Sequence, residues 1–117
     1  MNLEKAAELY EVDRDELARV LERHRSYPHD VIGLQEYREA PDSQILRDDD
    51  EYLIICVGSE GWDHEMRHLM DEDMDIGYDP ELARALQKVY LDEANRLLDR
   101  DITDIESRYM VFQVFEK

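Results

Sequence analysis

Apolar positions in the first thirty residues recur at helical spacing. Leu3, Ala6, Ala7 and Tyr10 fall at i, i+3, i+4 and i+7, which predicts one stripe of an amphipathic helix. Val12 follows, and Asp13 with Glu16 three residues on has capping-box spacing, Asp standing in place of Ser or Thr. Leu17, Val20 and Leu21 give a second helix its apolar face. Tyr27-Pro28 is expected to end that helix, because proline disfavours helical backbone in the residue before it. Residues 1–27 therefore read as a helical hairpin.

The pattern changes after Pro28. His29–Ala40 suits either a short helix or a strand with a loop, since Val31, Ile32 and Leu34 fit both. Gln44–Arg47 reads as a short strand, Asp48–Glu51 as a solvated turn and Tyr52–Val57 as a buried strand, the two strands forming a hairpin. Gly58–Gly61 is expected to break the chain, and Trp62–Met70 to form a short helix. An acidic loop, Asp71–Asp79, leads to Pro80 at the first position of the clearest helix, Pro80–Arg100. Leu82, Leu86, Val89, Tyr90, Ala94, Leu97 and Leu98 form its stripe. Arg108–Glu116 is β-rich and apolar on both faces, which predicts a central or partner-covered strand beside Tyr52–Val57. The expected fold class is α+β: an N-terminal helical hairpin, helix-turn-helix-like, and a small, mainly antiparallel sheet packed against a long helix in the C-terminal half. It forms a single domain over residues 1–117, with the hairpin at 1–27 and the sheet and helix at 28–117.

Composition changes this picture in one respect. The 117 residues carry 31 Asp and Glu against 14 Lys and Arg, a net charge of −17, and only Lys5, Lys88 and Lys117 are lysines. Acid spread over the whole chain, with Arg favoured over Lys, resembles halophilic proteins, in which concentrated salt screens the self-repulsion; high-GC coding would also favour Arg. No apolar run exceeds Tyr52–Val57 and the start is charged, so no membrane span or signal peptide is expected, and the chain reads as cytoplasmic. The lone Cys56 sits inside an apolar run as a small buried hydrophobe.

Three stretches carry candidate chemistry. The hairpin string AAELYEVDRDELARVLERH resembles the helix-turn-helix of DNA-binding regulators. That family's turn needs a residue tolerant of left-handed backbone, usually Gly, and Glu11 holds that position here. The resemblance implies that Arg14 and Arg19 face outward on a recognition helix with Arg23 near phosphates, arginine being suited to bidentate contact with guanine. Residues 1–30 nevertheless form no basic patch, with five basic and eight acidic side chains.

His64-Glu65-x-x-His68 is a literal H-E-x-x-H. On a helix its histidines share one face, where both can ligate zinc while Glu65 polarises a metal-bound water. A third ligand would come from the long helix, where Glu81 and Glu93 are the candidates; Glu81 lies about 6 Å along the axis from the ideal position. Asp71–Glu81 approaches a calcium loop, but Gly77 comes one residue late and Leu82 stands where the closing Glu belongs.

Tyr109, Phe112 and Phe115 are the candidate interaction residues, on a strand able to pair with a partner. The sequence contains no glycine-rich phosphate loop and no cysteine cluster. The leading expectation is a non-enzymatic interaction protein, a small acidic regulator or assembly component of a high-salt cytoplasm, with a protein partner or self-association and no cofactor. The alternatives are a helix-turn-helix DNA-binding regulator and a zinc-dependent hydrolase with Glu65 as its catalytic base.

Overall fold

The computed structural model describes residues 3–30, 34–39, 43–98 and 110–116. Helix α1 spans Leu3–Tyr10 and α2 spans Arg14–Asp30. Between them Glu11 takes left-handed backbone, φ 55°. The Val12 amide donates to the Ala7 carbonyl (3.0 Å) and the Glu11 amide to the Glu8 carbonyl (3.3 Å), a Schellman closure with Glu in the usual glycine position. Asp13 then caps α2, its Oδ1 accepting from the Glu16 amide at 3.0 Å.

Helix α2 does not stop at Tyr27. It runs through Pro28 to Asp30 because its buried stripe continues past Leu17, Val20 and Leu21 to His24 and Tyr27, both fully buried. Pro28 lies in the last turn, where it forfeits one backbone hydrogen bond, and packing of the stripe outweighs that loss. The ambiguous segment after it contains helix α3, Leu34–Glu39; residues 31–33 and 40–42 lie outside the described residues.

The sheet is antiparallel in the order β1-β2-β3, with β1 at Gln44–Asp48, β2 at Tyr52–Gly58 and β3 at Met110–Glu116. The central strand is therefore β2, and β3 takes an edge instead of the centre. The apolar run in β3 reflects burial on both faces, and among the described residues β3 has no second strand neighbour. Register places Leu53, Ile55 and Val57 beside Phe115, Gln113 and Val111 on one face, and Ile54 and Cys56 beside Val114 and Phe112 on the other. In the β1–β2 turn, Asp49 Oδ1 accepts from the Glu51 and Tyr52 amides, both at 2.9 Å.

Gly58–Gly61 does not break the chain. Helix α4, Ser59–Arg67, starts directly from β2 and includes Gly61, then widens into a π-helical turn over His68–Asp73. Asp79 caps α5, Pro80–Leu98, accepting from the amides of Glu81 (3.0 Å) and Leu82 (3.3 Å). Helix α1 packs on α5 and α2 and buries the small residues Ala6 and Ala7, and α5 packs on β3. One buried cluster joins α1, α2, the sheet, α4 and α5, so the hairpin shares the core of the sheet. No helix among the described residues is long and apolar enough to cross a membrane.

Candidate functional site

The side chains with chemical capacity converge where α2, α4 and α5 meet. His24, fully buried, contacts two groups: Nε2 bonds Glu65 Oε1 from α4, and Nδ1 lies 2.6 Å from the Tyr90 hydroxyl of α5. Rings surround the imidazole, with Tyr27, Trp62, Tyr90 and Phe115 centroids 5.5–5.8 Å away. Burial pushes the Tyr90 phenol far above its usual range, so it keeps its proton and remains a hydrogen-bond donor. One residue further on α2, Arg25 pairs with Glu93, which is 4% exposed, and lies over the Tyr90 ring at 5.8 Å. The result is a polar knot inside an aromatic core, with Arg25 and Glu65 as the members nearest solvent.

A second clamp sits beside it. Arg23 engages both carboxylate oxygens of Asp73, at the end of the π-helical turn, and lies 5.4 Å over the Tyr27 ring. Its guanidinium holds the Asp73 carboxyl below the usual carboxylate range. Burial, with Asp73 nearby, holds the Tyr27 phenol well above its own. Adjacent residues of α2, Arg23 and His24, thus grip the two ends of the segment from Glu65 to Asp73.

This arrangement redistributes the H-E-x-x-H residues. His64 and His68 point outward, and His68 Nδ1 bonds Glu72 at 2.6 Å, whereas Glu65 turns inward onto His24. Glu81 is held by Arg84 at 2.6 Å and Glu93 by Arg25. Among the described residues, no group of three His, Cys, Asp or Glu side chains is placed to hold a metal ion. The acidic loop is tied down by its own chain: Asp71 accepts from the Tyr78 amide (2.6 Å) and Asp63 from the Tyr78 hydroxyl (2.8 Å).

On the hairpin, Arg14 is exposed beside Glu4 (3.6 Å) and Asp15 (3.5 Å), and Arg19 is exposed on the same helix. Arg23, read as a phosphate contact, is spent on Asp73. Arg19, Glu22, Arg23, Ser26, Asp73 and Met74 line an open groove of about 390 Å³ between α2 and the π-helical turn. Phe112 and Phe115, read as interaction residues, are core residues at 2% and 0% exposure, and Tyr109 lies outside the described residues. Sequence reasoning missed His24 and Tyr27, because a proline at position 28 concealed the continuing stripe Leu17, Val20, Leu21, His24, Tyr27. No protein-family model, curated protein or solved structure matches this chain.

Proposed function

We propose that the chain is a non-enzymatic interaction protein, a small acidic regulator or assembly component of a high-salt cytoplasm that works through a protein partner or self-association. One observation carries this reading: the residues best suited to chemistry are consumed in holding the fold. Glu65, the only carboxylate positioned by sequence as a base between two histidines, is bonded to the buried ring of His24. The net charge of −17 supports the high-salt setting, since unscreened self-repulsion disfavours the compact state.

Sedimentation in about 2 M KCl, where the Debye length is only a few ångströms, tests the assembly reading. Self-association or stoichiometric capture of one protein is expected. A monomer that instead holds one zinc, lost on His68→Ala, overturns the reading in favour of a hydrolase. Thermal melts over about 0.1–3 M KCl test the setting: the midpoint should rise substantially, and an unchanged midpoint removes the halophilic interpretation.

The left-handed Glu11 favours a second reading, a helix-turn-helix regulator, because the turn has the backbone form that motif requires. Under that reading Arg14 and Arg19 read base edges. Sequence-selective DNA retention by the wild type that disappears in the Arg14→Ala/Arg19→Ala double variant would establish it.

A further inference from the structure

The helix from Ser59 to Asp73 changes its winding partway. Through Arg67 it is α-helical, and over His68–Asp73 it is π-helical, with the Met74 amide donating to the Leu69 carbonyl at 2.8 Å. In an unbroken α-helix each residue advances about 100°, so Asp73 would stand about 80° round from Glu65 while Glu72 would stand within about 20° of it. A π turn holds about 4.4 residues, and five such steps after His68 bring Asp73 to within about 10° of Glu65. The wider turn therefore gives Asp73 the angular position that Glu72 would hold in an α-helix. That position faces α2, where Arg23 waits beside His24.

Both residues that can take this position are acidic, and each is satisfied in the observed winding: Asp73 by Arg23, Glu72 by His68. The buried stripe of the segment, Trp62, Met66, Leu69 and Met70, ends before the two residues that would exchange. Trp62 and Met66 lie before the change of winding and would keep their core contacts, whereas Leu69 and Met70, buried within the π turn, would rotate by about 20° and 40°. The observed winding also carries a cost further on, at Asp75, a non-glycine residue with φ 54°, followed by Gly77 at φ 82° able to absorb a one-residue slip.

We propose that the π-helical turn is one setting of a two-register element, in which Arg23 holds Asp73 in the π register and Glu72 in the α register. The exchange would remodel the groove lined by Arg19, Glu22, Arg23, Ser26, Asp73 and Met74, making this groove the adjustable surface of the molecule. The inference stands independently of whether the partner is a protein or DNA.

The test is a pair of double-mutant cycles between Arg23→Gln and Glu72→Ala, one in the wild-type background and one in Asp73→Ala, read as the unfolding equilibrium in urea. All three positions lie on or near the surface, away from the fully buried stripe, so the variants fold. In the wild-type background the coupling should be close to nil, because Arg23 is engaged by Asp73. In the Asp73→Ala background the register should shift and Glu72 should couple to Arg23, by about a twofold to fivefold change in the unfolding constant, the range of partly exposed ion pairs. Absence of coupling in the Asp73→Ala background, or equal coupling in both backgrounds, would overturn the proposal.

Discussion

Helix α5 carries two arginine–glutamate pairs that differ in almost everything except residue type. Arg84 and Glu81 meet at 2.6 Å on its outer face, with 58% and 48% of their side chains exposed. Arg25 of α2 and Glu93 meet inside, at 20% and 4%. The outer pair is screened by water and salt, costs rotamer freedom to hold, and contributes little. The inner pair has lost its hydration and depends on its partner, so removing one side leaves a charge that the core cannot solvate. The same contrast divides the two ends of Glu65's own motif: His68 and Glu72 pair in solvent, while Glu65 and His24 pair within the aromatic core. In so acidic a chain, carboxylates are common, and burial selects the few on which the fold depends.

The contrast breaks first at His24. His24→Ala removes a partner from both Glu65 and Tyr90 and opens a hole among four rings, so a loss of about 3–5 kcal/mol is expected in urea unfolding. The neighbouring substitutions His64→Ala and His68→Ala should each stay within about 0.5 kcal/mol. Equal effects at the three histidines would show that the buried knot is not special.

Gln113 sharpens the comparison from the other direction. It is fully buried on β3, opposite Ile55, and neither its amide nitrogen nor its amide oxygen has a hydrogen-bond partner among the described residues. Here burial has no compensating pair, so Gln113→Leu should stabilise the protein by about 1–2 kcal/mol in the same assay. A destabilising outcome would mean that the amide is satisfied in solution.

Acid probes the surface set. Asp49 is pulled down to about 2, chiefly by the Tyr52 amide, then by Arg47 and the Glu51 amide. Arg67 and Tyr78 lower Asp63 as well. A carboxylate whose folded pKa lies below its unfolded value of about 3.9 contributes stability that is fully present above that value and is lost as pH falls through the folded pKa. Stability should therefore drop between about pH 4 and 2, and Asp49→Ala should flatten that drop while leaving the pH 5–7 plateau level. An identical acid limb in the variant would exclude Asp49 as a contributor.

The smallest effect is expected at the exposed arginines of α2. Arg14→Ala and Arg19→Ala should each change stability by no more than about 0.5 kcal/mol. A larger loss would place these side chains in a packed interface of the kind seen at Arg25.

Legibility in the sequence followed the range of the interactions involved. The Asp13 cap, the Asp49 turn, Pro80 opening α5 and the hairpin of β1 and β2 were readable because each rests on residues within a few positions of one another. The α+β class was readable for the same reason, from the change between helical and alternating apolar periods. The π-helical turn left no trace in the stripe Trp62, Met66, Leu69, Met70, since only its last two members lie past His68, too few to reveal a change of period.

Sequence alone thus determined where α2, β1, β2 and α5 start, which of their faces are apolar, and that the chain is crowded with acid. Only tertiary structure decided that α2 continues through Pro28, that β2 and not β3 occupies the centre of the sheet, and that Glu65 turns away from His64 and His68 to meet a histidine 41 residues earlier. The reason is physical: propensity and capping act over a single turn, whereas the pairing of a buried charge is settled by whichever partner the packed helices bring within reach.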